Sequence, residues 1–425
     1  MRIARVAVDT TPLRESRDLR LLELGTFVTG LGTQASLVAL PYQLYVQTQS
    51  AFLTGLLGAV ELAPLMASAL VGGAVADRMD RRRLLLLDQF ALVVVTAALA
   101  LLAFGGEPPL GVLYVLGALL AGAGAVQNVA RAAMIPNLVA PALMPSALAL
   151  HFGLANVTQV IGPAVGGVII AASGVGLAYA IDAASCLALV AAVLPMSPQP
   201  PQRAAGSEQL GLGRSIAEGL RFVKSKPALT GSFAIDLAAM TFGMPRALFP
   251  VLALTVYDAG AAGTGVLYAS VAAGATVAAL TTGWLRHARR LGRIVIVAVL
   301  GWGAAIALAG LTGSLWVAAA LLAAAGAADS VSAVCRSTIT QSVTPDAMRG
   351  RMGSVFSLVV TSGPRLGDVE SGTVAALTSA RASVVSGGVA CMVSVGAILL
   401  AFPALAAYDA REALAEREAE AEAVA

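Results

Sequence analysis

A few ionisable residues interrupt otherwise apolar stretches, and chemistry is sought there first. Glu61, Asp236, Arg246, Arg365 and Asp368 each fall inside a long apolar segment. An ionisable side chain in such a segment is costly, so it marks a functional site by default. Removed from water, a carboxylate becomes a group that can bind and release a proton at working pH. Glu61 lies about nine residues into its segment, ~13 Å from the segment's start at 1.5 Å per residue. It is the deepest lone carboxylate of the first half and the first candidate to carry a proton. Asp236 is the second. Its neighbour Arg246 lies about 15 Å further along a straight helix, too far to pair, and Pro245 and Pro250 predict a break there. Arg246 either holds an anionic ligand or compensates a carboxylate of another segment. Arg365 and Asp368 are three residues apart and share one helical face. Either they neutralise each other, or Arg365 faces a binding cavity and Asp368 is a third proton candidate. Asp329 with Arg336, and Arg131, suit an ion-pair network at one membrane face. His151 reads as a packed histidine. Gln34, Asn128, Asn156 and Gln159 offer hydrogen-bonding groups along a cavity.

The elements that must position these residues are apolar helices. Of 425 residues, 58% are hydrophobic and 12% charged, against roughly 25% charged in soluble domains. Mean hydropathy is +0.83. Apolar segments recur at 19–45, 52–76, 84–104, 109–131, 147–172, 176–196, 229–256, 263–285, 294–311, 314–336, 353–377 and 382–405. Each is about the 20 residues that a bilayer crossing needs. Inside lipid the backbone must satisfy itself, which forces helix, and the segments lack the alternation of a membrane β-barrel. The expected fold is an all-α membrane protein with twelve transmembrane helices.

Basic residues cluster in alternate connections. Arg78, Arg81, Arg82 and Arg83 follow the second segment. Arg203, Arg214, Arg221, Lys224 and Lys226 lie in the central stretch. Arg286, Arg289, Arg290 and Arg293 follow the eighth segment, and Arg349 and Arg351 the tenth. Among the intervening connections only Arg381 is basic. This asymmetry predicts that both termini are cytoplasmic. The first 20 residues carry charges and no apolar core of a cleavable leader. Cys186, Cys335 and Cys391 read as small buried hydrophobes.

The expected organisation is a cytoplasmic segment 1–18, a six-helix bundle 19–196, a linker 197–228, a second six-helix bundle 229–406 and a tail 407–425. The linker opens with Pro198, Pro200 and Pro201. It continues with Leu212, Ile216, Leu220 and Val223 on one face of a basic amphipathic helix, which fits the inner membrane surface. The two bundles repeat one another. Gly73 and Asp77 precede a basic loop as Gly283 and His287 do. Pro141-Ala-Leu-Met-Pro matches Pro345-Asp-Ala-Met-Arg, and Gly162-Pro163-x-x-Gly166 matches Gly363-Pro364-x-x-Gly367. Parallel six-helix repeats are a transporter architecture with its substrate site near the membrane midplane.

Three stretches resemble the major facilitator superfamily. Gly73-Ala-Val-Ala-Asp77-Arg78-Met-Asp80-Arg81-Arg82 is similar to that family's loop signature between the second and third spans, with Asp80 where a glycine is usual. In the resemblance this loop is a cytoplasmic gate. Gly162-Pro163-Ala-Val-Gly166-Gly167 resembles the kink motif of the antiporter branch. The runs Gly265-Val-Leu-Tyr268-Ala and Gly283-Trp-Leu-Arg-His287 resemble a bacterial enterobactin-exporter group, whose near relatives resemble macrolide and multidrug exporters. The resemblance implies two pseudo-symmetric halves and alternating access. It also implies export of a siderophore or drug-like compound across the bacterial cytoplasmic membrane in exchange for protons. The implied partners are a small-molecule substrate, protons and membrane lipid, with a monomeric protein, no nucleic acid and no metal or cofactor. Multidrug efflux without a siderophore role, a proton-coupled importer and a non-transporting receptor or scaffold are the alternatives. An enzyme is not expected. No Gly-x-x-x-x-Gly-Lys-Ser/Thr loop is present, neither histidine begins His-Glu-x-x-His, and no nucleophile–base pairing is evident.

Overall fold

The computed structural model describes residues 9–76, 78–201, 212–345 and 348–409. Among them every regular element is helical. In chain order these are α1 (Thr11–Glu15), α2 (Arg17–Thr48), α3 (Ala51–Ala76), α4 (Arg81–Phe104), α5 (Leu110–Leu138), α6 (Met144–Val193) and α7 (Leu212–Ser225). There follow α8 (Pro227–Phe242), α9 (Phe249–Thr255), α10 (Gly260–Thr281), α11 (Leu291–Leu311), α12 (Leu315–Val343), α13 (Arg349–Leu377), α14 (Ala380–Ala401) and α15 (Pro403–Ala407).

Nine helical stretches among the described residues are long and apolar enough to cross a membrane. One of them, Pro141–Val193, has 53 residues, enough for two crossings of about 20 residues each. Within α6 the break is Gly174, at φ 79° and ψ 173°, a left-handed backbone that glycine tolerates without a Cβ penalty. It separates the segments expected at 147–172 and 176–196. Adding α2 and α13, which carry more polar residues, gives a total consistent with twelve crossings. Leu280 and Leu400 are 83% and 89% exposed. Such apolar surface suits a lipid solvent, whereas water would drive it to associate.

Sequence sets the helix ends. Ser16 caps α2 by accepting the Leu19 amide at 3.1 Å, and Ser379 caps α14 by accepting the Ala382 amide at 3.1 Å. Each satisfies one of the donors that a helix start leaves open. Both halves leave their first crossing through a left-handed residue, Gln49 at φ 50° and Asp258 at φ 49°. The break expected at Pro245 and Pro250 is present. α8 ends at Phe242, a single 3-10 turn spans Arg246–Leu248, and α9 resumes the crossing.

By packing, the chain forms two units. Unit 1 comprises Met1–Gln49, Val60–Gly206 and Ala259–Ala269; unit 2 comprises Ser50–Ala59, Ser207–Asp258 and Ser270–Ala425. In unit 1, α6 lies along α2 and α4, and α4 packs on α5. At the end where the loop before α4 lies, Leu19, Leu22, Leu85, Met134, Ile135, Leu189 and Val193 form an apolar cluster. α1 docks nearby through Asp9, whose carboxylate accepts the Thr11 amide and hydroxyl and, at 2.8 Å, the Ser146 hydroxyl. These bonds, Thr11's first, hold the Asp9 carboxyl below its usual value. In unit 2, α11 packs on α12 and α14, and α8 on α13 and α14. α7 lies against α13, where Gly219 meets Arg351 and Val355 and Glu218 pairs with Arg351 at 3.0 Å. Val223 is buried, while Leu220 is 39% exposed.

Candidate functional site

Unit 1 contains a polar cavity of about 270 Å³. α2 lines it with Thr26, Phe27, Gly30, Thr33 and Gln34, and α5 with Gly124, Gln127, Asn128 and Arg131. α6 completes it with His151, Leu154, Ala155, Thr158 and Gln159. Small residues make the space. A Cβ on Gly30 would press on Thr158 at 3.0 Å, whereas Gly124 opens onto empty volume. The apolar cluster begins about one helical turn away, at Leu22 and Met134.

Ionisable groups meet at this cavity. Glu23 on α2 is 1% exposed, and its two carboxylate oxygens lie 3.0 and 3.3 Å from His151 Nδ1. Arg131, 7% exposed, interacts electrostatically with Asp88 of α4 and with Glu23. Its Nε and Nη2 and the Gln127 Nε2 are buried without a hydrogen-bond partner. A buried donor left unsatisfied costs about 1–3 kcal/mol, so such groups favour the arrival of an acceptor. Further along unit 1, Asp182 of α6 accepts the Ser36 hydroxyl at 2.6 Å and the Thr33 hydroxyl at 3.4 Å. Of the cavity candidates read from sequence, Gln34 and Gln159 line the cavity with Asn128, whereas Asn156 is half-buried elsewhere on α6. Glu61 on α3 is buried at 7% exposure. Glu23, Asp88 and Asp182 escaped the sequence reading. All three lie within the expected apolar segments, so the rule that selected Glu61 applies to them as well.

The loop before α4 ties helix ends together. The Arg81 guanidinium donates to the Ala133 carbonyl at 2.5 Å, and the Arg81 amide to the Gln199 carbonyl at 2.9 Å. Arg82 donates through Nε to the Val193 carbonyl at 3.1 Å and through Nη2 to the Leu194 carbonyl. Val193 and Leu194 stand at the end of α6, where carbonyls are left open, whereas Ala133 lies inside α5. Asp80 caps α4 by accepting the Arg83 amide at 2.9 Å. Arg78 is exposed. Asp77 lies outside the described residues, and of Gly73 only its place in α3 is described.

The Gly-Pro-x-x-Gly-Gly run is a packing surface within unit 1. An added Cβ would lie 2.5 Å from Gln34 at Gly162, 2.7 Å from the Ala35 backbone at Gly166 and 2.6 Å from the Ala261 carbonyl at Gly167. Pro163 is buried in the same helix.

Unit 2 pairs its charges. Arg336 of α12 binds Asp236 of α8 directly and Asp329 at 3.4 Å. Asp368 accepts the Ala247 amide at 3.0 Å, closing the break in the seventh crossing, and lies 3.7 Å from Arg365. Arg246 also interacts electrostatically with Asp368. Arg246 and Arg365 are both half-buried. A second cavity of about 310 Å³ is lined by Ser337, Thr340, Gln341, Thr344, Met352, Gly353 and Phe356, none of them charged.

This helical architecture agrees with solved transporters. The chain superposes on a nucleoside transporter, NupG, with TM-score 0.74 at 14% identity, covering 91% of this chain and 100% of that one. A bacterial homologue of the human lysosomal transporter Spinster, in an inward-facing conformation, gives TM-score 0.68 at 15% identity, with 94% and 98% covered. Residues 8–425 match the model of the transmembrane secretion effectors of the major facilitator superfamily. The chain belongs to that family. It is a multi-pass membrane transporter and not an enzyme. Among characterised relatives, the enterobactin exporter EntS of Shigella boydii serotype 4 is 30% identical over 383 residues, 90% of each chain. EntS of Escherichia coli O81 is 29% identical over the same length.

Proposed function

We propose that the protein exports a siderophore or drug-like small molecule from the cytoplasm across the bacterial inner membrane, driven by proton entry. The observation that carries this reading is the 30% identity to an enterobactin exporter over nine-tenths of both chains. The polar cavity supports it, because it offers hydrogen-bonding groups and a guanidinium to a polar cargo. The halves 19–196 and 229–406 alternate access to the cargo, with both termini cytoplasmic and the protein acting as a monomer. The loop from Gly73 to Arg82 latches the inner side. Arg81 and Arg82, which tie the start of α4 to a carbonyl of α5 and to two at the end of α6, support that role. Glu61 is a coupling carboxylate in this mechanism. Asp236 and Asp368, both engaged by fixed partners, contribute chiefly to structure. Arg246 and Arg365 compensate Asp368 more than they bind cargo.

The test is accumulation of enterobactin in everted membrane vesicles that contain the protein, beside a macrolide control. Accumulation that an uncoupler abolishes supports proton-driven export. Accumulation of the macrolide alone moves the cargo to the multidrug class. No accumulation of either compound by folded protein contradicts the proposal.

A further inference from the structure

We propose that Glu23 and His151 form a proton-binding site on the unit 1 cavity, at which cargo is exchanged for a proton. The inference rests on the antiport reading above and gives it a place in the molecule.

Glu23 is almost wholly enclosed, and a carboxylate cannot stay buried without compensation. Its compensation comes from an imidazole, the side chain best suited to gain and lose a proton at working pH. His151 reaches both worlds. Its Nδ1 contacts Glu23, while the side chain is 17% exposed and lines the cavity. Among the described residues its Nε2 has no hydrogen-bond partner, so a ring position remains for a proton arriving through the cavity.

Charged groups of several helices surround the pair. α5 presents Arg131, and α4 presents Asp88 behind it. α6 adds Cys186 near Arg131 and, beyond it, Asp182, which hydroxyl groups already satisfy. On α2 itself Arg17, Asp18 and Arg20 precede Glu23, Arg17 and Arg20 exposed and Asp18 accepting the Ser197 amide; from Leu21 to Thr48 only the phenols of Tyr42 and Tyr45 are added. α1 contributes Arg14 and Glu15, both exposed. Among the buried groups, and with His151 neutral, the carboxylates of Glu23 and Asp88 face the Arg131 guanidinium, an excess of one negative charge. One added proton, shared by the pair, removes it. The proton belongs to the pair and not to either residue alone. A cargo seated against His151 and Arg131 displaces the water that delivers the proton and competes for the same groups. The cavity therefore holds cargo or proton, which is the condition for exchange.

The experiment uses the full-length protein purified in detergent and lightly buffered, with enterobactin as the probe. Enterobactin binding to the wild type is expected to release protons, read by a pH-indicator dye. Glu23→Gln and His151→Gln are expected to lose that release. Folding of both variants is read separately, from thermal unfolding and from their elution in detergent beside the wild type. Glu61→Gln in the same assay shows whether release belongs to the pair. If Glu23→Gln releases as many protons as the wild type, the inference is overturned and the antiport reading stands. If the wild type binds enterobactin and releases none, the antiport reading falls and takes the inference with it. Should Glu23→Gln fail to fold, His151→Gln carries the same expectation and the same power to overturn it.

Discussion

In α6 the kink run from Gly162 ends on Gly167; in α13 the matching run from Gly363 is followed by Asp368. Gly167 lets the α6 backbone meet the start of α10, where Gly265 likewise lacks a side chain. Asp368 instead projects a carboxylate. The space for it comes from Gly55 and Gly58 of α3, and its oxygen closes the broken seventh crossing through the Ala247 amide. The duplicated kink is thus packed in two ways, backbone on backbone in unit 1 and by a carboxylate cap in unit 2. The same division marks the other charges. Unit 2 sets Arg336 in direct ion pairs with Asp236 and Asp329, whereas in unit 1 Arg131 meets Asp88 and Glu23 only through longer-range attraction and stands beside a cavity.

Breaking the closed network of unit 2 should cost most. Asp236→Ala strands Arg336 with Asp329 alone, and loss of one partner of a buried pair costs about 3–5 kcal/mol. Thermal unfolding in detergent should show a marked fall in Tm; a Tm equal to the wild type would mean that Asp329 suffices. Gly167→Val tests the backbone packing of unit 1. It forces a side chain against the Ala261 carbonyl, and overpacking of this kind costs about 1–3 kcal/mol. Transport should fall sharply in the same vesicles, and normal transport would show that the contact yields. The pair Asp368→Ala and Asp368→Asn sharpens the contrast. Alanine leaves the Ala247 amide unmet, at about 1–3 kcal/mol, whereas asparagine keeps an acceptor and should be close to wild type in Tm. Equal loss in both variants would make the Arg365 charge pair, and not the cap, the source of stability.

The smallest effect lies outside the membrane. The Asp9 carboxyl is held below its usual value of 3.8. A lowered folded value means that the docking of α1 is fully supported above the ordinary aspartate range and is lost as pH falls through the lowered one. Protease access near Thr11 should therefore rise only in strong acid. A rise already at pH near neutrality would contradict the Asp9 contact.

The sequence made the helices legible because lipid leaves one option for each apolar run. The repeat was legible because Gly-Pro-x-x-Gly marks the same kink twice. Asp80, a departure from the family pattern, has a helix-start meaning that the general preference for aspartate at an N-cap covers. The charge pairings were not legible. Glu23 and His151 are 128 positions apart, and Glu23 sits near Arg17, Asp18 and Arg20, where it reads as an end-of-span charge. Arg246, on the same segment as Asp236, lies too far along it to pair, and nothing in the sequence singled out its partner, Arg336 of α12. Which charges meet depends on helix rotation and tilt, which packing sets and periodicity does not.

The most direct test of the central claim uses purified protein in proteoliposomes whose interior is made acidic, with labelled enterobactin outside. Proton-driven export predicts that enterobactin accumulates as protons leave, and that collapsing the gradient abolishes accumulation. Accumulation that requires an alkaline interior, or that proceeds without any gradient, would contradict the account.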